Sequence, residues 1–248
     1  MTGLATYDVL APHYDAVTGD GAAEAALITD IVGRRCPQAR TLLDVACGTG
    51  AITAPLSQAY RVAGLDIAPG MLAVARAKLP AAVPLHRADM TGFELGTRFD
   101  AIVCAYQGIN HLLSFPAWAS FFGCAAQHLS PGGVLVFDVA TVGYLAAMAR
   151  TGKVVQEFGD NYLLITMHAT GPASIEWRIE VYELQPDRRY RLLRQTVELR
   201  AFPIAAVRAE LGRWFTGVEV IGGDGNPADP GAGDRLWLAC VKPGGPGQ

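Results

Sequence analysis

Leu42-Leu43-Asp44-Val45-Ala46-Cys47-Gly48-Thr49-Gly50 is the stretch on which the reading of this chain turns. Four residues of strand character run into a turn with two glycines one residue apart, and a helical pattern starts after Gly50. Such a run puts bare backbone at the carboxyl end of a parallel strand, where open α/β sheets bind their ligands. Sixteen residues beyond Gly50, Val62-Ala63-Gly64-Leu65-Asp66 is a second strand ending in a carboxylate, a group able to hold both hydroxyls of a ribose. A nicotinamide site asks for G-x-G-x-x-G, with a pyrophosphate at the helix N-terminus. Here the run is Gly48-Thr49-Gly50-Ala51-Ile52-Thr53, so the third glycine is missing, and Asp44 would set a negative charge beside that pyrophosphate.

Outward from this stretch, strands and helices alternate: strand 41–45, helix 51–60, strand 61–66, helix 69–78, strands 83–87 and 99–104, helix 116–129, strand 133–139. Two amphipathic helices, Tyr7–Val17 and Ala22–Arg35, come before them. Alternation of this kind implies right-handed crossovers and a mainly parallel sheet. The pattern then changes. Ile175, Trp177, Ile179 and Val181 alternate with Glu176, Arg178, Glu180 and Tyr182, the period of a half-buried antiparallel strand. Residues 153–168 and 190–200 read as its partners, helix 203–213 follows, and strands 215–221 and 235–242 close the sheet. Arg188-Arg189-Tyr190-Arg191 reads as a solvated hairpin, the Gly/Pro-rich run 222–233 as a loop, and 243–248 as a frayed tail.

Composition bounds the function. With 51 % apolar residues, 17 % charged and a net charge of −3, the chain reads as a globular, soluble protein without the basic surface that a nucleic-acid partner needs. The longest apolar stretch, Gly133 to Ala149, is broken by Asp138 and falls short of a membrane span. Cysteines 36, 47, 104, 124 and 240 form no C-x-x-C pair, which suits reduced thiols in the cytoplasm. No metal-ligand spacing stands out, and no signal peptide begins the chain. A monomer and a homodimer both remain open.

Five ordered segments resemble the motifs of the class I S-adenosylmethionine-dependent methyltransferases, in the small-molecule subgroup that includes natural-product and amino-sugar enzymes. They are the Asp44–Gly50 turn; Gly64-Leu65-Asp66 followed by Met71-Leu72; Arg87-Ala88-Asp89-Met90; Phe99–Cys104; and Leu129–Leu135. The resemblance covers roughly residues 37–140, with a tail at 203–243. It implies a Rossmann-like α/β fold: a mainly parallel seven-stranded sheet, helices on both faces, and a small antiparallel β insertion. Residues 1–36 become an N-terminal helical lid, 37–140 and 203–243 the cofactor-binding core, and 141–202 an insertion covering the substrate site.

The resemblance also implies the site residues. Ala46, Gly48 and Gly50 admit the methionine part of S-adenosylmethionine, Asp66 takes the ribose, Ile67 and Met71 sandwich the adenine, and Asp89 accepts from its amino group with Met90 nearby. Cys104 and Tyr106 lie beneath the sulfur, and Gln107 and Asn110 face the substrate. Related enzymes often carry S-x-x-N-Y-L in that segment; this chain has His111 in the tyrosine's place. As a general base, His111 would add a limb to the rate profile near pH 6–7; as a packing residue it adds none. Tyr14, in an A-x-x-Y-D element, either closes over the cofactor and nucleophile or packs in the core. Trp177, Glu198 and Arg200 are cavity candidates from the insertion. The implied activity is methyl transfer to N or O of a small metabolite. Two alternatives stay open: a non-methylating S-adenosylmethionine binder, such as a pericyclase or assembly partner, and a nicotinamide-dependent oxidoreductase.

Overall fold

The computed structural model describes residues 7–229 and 235–244. Residues 1–6 of the expected lid, 230–233 of the expected loop and 245–248 of the expected tail lie outside that range.

The central sheet has seven strands: β1 (Thr41–Val45), β2 (Arg61–Asp66), β3 (Leu85–Arg87), β4 (Phe99–Cys104), β5 (Leu129–Ala140), then, late in the chain, the two strands Thr216–Ile221 and Arg235–Val241. β1 pairs in parallel with β2 on one side and β4 on the other; β3 extends the first flank and β5 the second. Arg235–Val241 runs antiparallel to β5, and Thr216–Ile221 closes that edge. The strand order reverses at β1, so the crevice beyond the ends of β1 and β4 is where such a sheet opens for a ligand. β1 and β4 are buried on both faces, which is why Leu42-Leu43 and Ala101-Ile102-Val103 read as continuous apolar runs.

Helices α1 (Tyr14–Thr18), α2 (Ala22–Arg35), α3 (Thr53–Leu56), α4 (Pro69–Lys78) and α5 (Phe115–His128) precede or alternate with these strands. α2 buries Ala25, Ile28, Ile31 and Val32 at helical spacing and carries Arg34 and Arg35 in its last turn, where the macrodipole favours cations. α5 is capped by Ser114, which accepts from the Ala117 N–H, and buries Trp118, Phe121 and Phe122 beside Phe137.

Two expected helices shrink. The segment 51–60 is helical only over Thr53–Leu56, flanked by turns, because Pro55 brings no N–H to the ladder. The segment 7–17 becomes a turn, a 3₁₀ stretch at Ala11–His13 built around Pro12, and then α1.

Beyond β5 comes a helix that the sequence reading lacked, α6 (Val142–Thr151), capped by Thr141. A four-stranded antiparallel sheet follows: β6 (Lys153–Phe158), β7 (Asn161–Gly171), β8 (Ser174–Leu184) and β9 (Tyr190–Arg200). The run 153–168 is thus two strands, folded back at Gly159-Asp160. Its inner face buries Leu163, Met167, Ile175, Ile179, Val197 and Leu199, with Leu145 of α6 packed among them. Helix α7 (Ile204–Leu211) then returns the chain to the central sheet, whose last strands are β10 (Thr216–Ile221) and β11 (Arg235–Val241). Among the described residues no helix is long and apolar enough to cross a membrane.

One side chain ties the two sheets together. Asn110, fully buried, donates its Nδ2 to the carbonyls of Ala140 (3.1 Å) and Arg200 (2.9 Å) and accepts from the Ala140 N–H (2.9 Å). It is a structural bolt rather than the expected substrate contact. Asn110→Ala strands a buried N–H and two carbonyls, at about 1–3 kcal/mol for such a loss of partners. The urea midpoint of the variant should fall accordingly, with the m-value unchanged.

Candidate cofactor and substrate site

The turn after β1 is built from left-handed backbone. Ala46 (φ 58°), Gly48 (φ 54°) and Gly50 (φ 74°) carry the chain sharply away from the strand. A Cβ on Gly48 would meet nothing nearer than the Met71 sulfur at 3.9 Å, so this position is open and lets backbone come directly against a ligand. Gly50 is bare for another reason: a Cβ there would stand 2.8 Å from Leu79 Cδ1. It packs the turn onto α4 and is not on the cavity wall, contrary to the expectation for it.

Asp66, at the end of β2, fixes the turn. Its Oδ2 accepts from the Gly48 N–H and its Oδ1 from the Ala68 N–H, both at 2.8 Å. Each oxygen keeps a lone pair, and the carboxylate lines the cavity. Burial raises its pKa, against the pull of these N–H groups. Behind it Asp44, in contact with the Thr53 hydroxyl at 2.6 Å, is pushed up to about 7, chiefly by burial.

The cavity occupies about 510 Å³, within the usual range of a small-molecule site. Of the expected cofactor residues, Ala46, Gly48, Asp66, Ile67, Met71, Met90 and Tyr106 line it. Asp89 does not; its Oδ1 accepts from the N–H and hydroxyl of Thr91, each at 2.8 Å. Cys104 does not either. Its side chain lies in the core, where it would stand 2.9 Å from a Cβ on Gly108, and burial holds the thiol well above the usual range.

The N-terminal segment forms the roof. Asp8 accepts from the Gly70 N–H (2.6 Å) at the start of α4, and Asp15 binds the Thr49 hydroxyl and Lys78 Nζ, each at 2.5 Å. These contacts bring Tyr7 and Tyr14 into the cavity, with rings edge to face at 6.1 Å. Tyr7 also stands edge to face with His111 (5.4 Å), its hydroxyl 3.4 Å from Nε2. Burial holds both phenols far above their ordinary range, so both stay protonated. Burial drives His111 the other way, down to about 4. The rate limb expected near pH 6–7 therefore does not belong to this histidine, which is neutral through that range. An imidazolium formed by a general base would sit where the protein disfavours charge.

The far wall comes from β8 and β9: Glu176, Thr196, Val197 and Glu198. Glu176 and Glu198 are register partners on adjacent strands. Glu198 was an expected cavity residue, but Trp177 and Arg200 are not on the wall. Alternation turns Trp177 to the inner face of its sheet, where its Nε1 has no partner. Arg200 reaches the Leu113 carbonyl (3.3 Å) and lies over the Phe202 ring. Gln107 is also off the wall; its N–H donates to Asp138 (2.9 Å), a buried carboxylate that also holds Arg235. Sequence reasoning missed Tyr7 and Glu176. Tyr7 lies one helical repeat before Tyr14, but only the β8–β9 register reveals Glu176.

Residues 42–133 match the family model described as a methyltransferase domain. The chain is 41 % identical over 120 residues to dTDP-3-amino-3,4,6-trideoxy-alpha-D-glucopyranose N,N-dimethyltransferase of Streptomyces venezuelae, covering 48 % of this chain and 50 % of the relative. It is 38 % identical over 174 residues to dTDP-3-amino-3,6-dideoxy-alpha-D-glucopyranose N,N-dimethyltransferase of Streptomyces fradiae, covering 66 % and 65 %. It thus spans about half to two thirds of the length of these curated relatives. Its fold matches S-adenosylmethionine-bound CalS10, an amino pentose methyltransferase from Micromonospora echinaspora, with a TM-score of 0.71 and 26 % identity, covering 92 % of this chain and 94 % of that one. The chain belongs to the class I S-adenosylmethionine-dependent methyltransferases. Within that family its likeness is to the small-molecule subgroup, and S-adenosylmethionine is the cofactor of this cradle, which sets the nicotinamide reading aside.

The histidine makes a pH-dependent contribution to stability whose sign is fixed. Its folded pKa of about 4 lies below the unfolded value of about 6.5, so in that window the unfolded chain binds the extra proton. Unfolding free energy should fall as pH drops from about 6.5 to 4. Thermal melts of the wild type and His111→Gln across this range should diverge, with the variant losing less stability toward acid.

Proposed function

We propose that this chain transfers methyl groups from S-adenosylmethionine to the amino nitrogen of an amino sugar in natural-product biosynthesis. The observation that carries the proposal is a single cavity. At one side it has the glycine turn and Asp66; at the other it has Tyr7, Tyr14, His111 and the Glu176–Glu198 pair. Both curated relatives are named as N,N-dimethyltransferases of dTDP-amino sugars, which supports nitrogen over oxygen as the acceptor.

Bound S-adenosylmethionine supplies a methyl group on a positively charged sulfur, already a good electrophile. The protein's work is then positioning and exclusion of water. Asp66 holds the ribose hydroxyls through its spare lone pairs. Ile67 and Met71 bracket the adenine, and Met90 closes that end. The roof segment carrying Tyr7 and Tyr14 covers the site, both hydroxyls being donors. Neutral His111, in contact with Tyr7, presents an uncharged ring to the acceptor nitrogen. Glu176 and Glu198 attract a protonated amine and accept hydrogen bonds from sugar hydroxyls. A neutral amine is nucleophilic once its own proton is lost, so the reaction needs no covalent enzyme intermediate and none of the cysteines.

The test is incubation with S-adenosylmethionine and a panel of dTDP-amino sugars, followed by mass spectrometry. The expected product carries one or two added methyl groups. Tight binding of S-adenosylhomocysteine with no methylation of any amino sugar would overturn the substrate assignment and favour a binder without transfer. Two sets of variants separate the ends of the cavity. Asp66→Ala removes charge-assisted bonds worth roughly 1.5–3 kcal/mol, so calorimetry should show S-adenosylhomocysteine affinity about tenfold weaker or more. Glu176→Gln and Glu198→Gln should leave that affinity intact and lower kcat/KM for the amino sugar.

A further inference from the structure

The outer edge of β6 carries a pattern that neither the fold nor the cavity uses. β6 is the end strand of the four-stranded sheet and pairs only with β7. A two-residue turn, Gly159-Asp160, joins them, with Phe158 opposite Asn161. In such a hairpin the closing pair exchanges both backbone bonds, and every second residue repeats this. Phe158, Gln156 and Val154 therefore bond to β7. The phase is corroborated beyond the strand's start, where the Met167 N–H donates to the Gly152 carbonyl at 2.7 Å. Lys153, Val155 and Glu157 direct their N–H and C=O groups outward. Lys153, Val154, Val155 and Glu157 are exposed, Val155 at 66 %. An uncovered strand edge of this kind is a template for another strand.

We infer that a second copy of this chain occupies this edge, β6 pairing antiparallel with β6 about a twofold axis through Val155. The sequence Lys153-Val154-Val155-Gln156-Glu157 is self-complementary in that register alone. Lys153 faces Glu157 of the other copy, Glu157 faces its Lys153, and Val155 faces Val155. Shifting the axis to Lys153 or to Glu157 opposes like charges, and shifting it by one residue to Val154 or Gln156 breaks both ion pairs. The register on Val155 also meets the backbone, because all three residues with outward groups fall in hydrogen-bonded pairs. Opposite charges across paired strands stabilise the pairing and like charges oppose it. On the same sheet face Leu164 stands opposite Val155 on β7 and Tyr162 opposite Glu157, so apolar surface continues on both sides of the axis. The two four-stranded sheets become one continuous sheet of eight strands, an isologous interface of the kind that closes at a dimer.

The experiment is sedimentation-velocity ultracentrifugation of the full chain at micromolar concentration, with S-adenosylhomocysteine binding as the check on folding. The wild type should sediment at twice the chain mass. Lys153→Glu and Glu157→Lys each turn two attractive pairs into two repulsive ones, so each should weaken association about tenfold or more. The double variant carrying both changes restores complementarity and should dimerise again. Val155→Cys, at the axis, should form an intermolecular disulfide on mild oxidation, since hydrogen-bonded pairs set their Cα atoms about 5.5 Å apart. A monomeric wild type overturns the inference. So does a dimer that neither single charge reversal weakens, because its interface is then elsewhere.

Discussion

The site depends on the Asp66 carboxylate and the two backbone N–H groups it holds. Gly48 and Ala68 belong to different turns, one after β1 and one after β2, and Asp66 ties both with bonds of 2.8 Å. The charge is nearly buried, so it persists only while these donors are in place. In return it fixes the left-handed turn at Gly48, holds the two strand ends at a set distance, and leaves lone pairs facing the cavity. A second carboxylate, Asp44, lies close enough to oppose it, and burial pushes Asp44 up toward neutrality. The pair is a local conflict of the kind proteins keep at functional sites.

A second set of buried polar groups locks the substrate wall to this cradle. Asn110 spans the ends of β5 and β9, and Asp138 holds Arg235 while accepting from the Gln107 N–H. Tyr106 and Gln107 both take the left-handed conformation, which is costly for residues with side chains. The backbone bond to Asp138 and the stacking of Arg235 over the Tyr106 ring hold them there. Tyr106 is consequently turned onto the cavity, and the 3₁₀ stretch that follows delivers His111 opposite Tyr7. Residues expected to touch substrate in this segment instead determine where Tyr106 and His111 stand.

What the sequence by itself determined is whatever depends on local periodicity and backbone chemistry. β1, β2, β4, α2 and α4 fall on the residues their patterns indicate, and the Gly48 turn with Asp66 is legible because no other residue types suit a bare, left-handed loop beside a strand-end carboxylate. Pro55 and Pro12 were visible too, but their effect on helix length depends on what packs around them. α6 was lost because Val142–Thr151 continues the apolar run of β5, and an apolar run carries no period that separates strand from helix. Only the tertiary structure decided the rest. Glu176 becomes a cavity residue through its register with Glu198, 22 positions away. Trp177 turns inward by the same alternation, and Cys104 faces the core from a strand whose end borders the cavity. His111 has an ordinary titration in the sequence and a depressed one in the fold, because desolvation is set by neighbours brought from a segment about a hundred residues away.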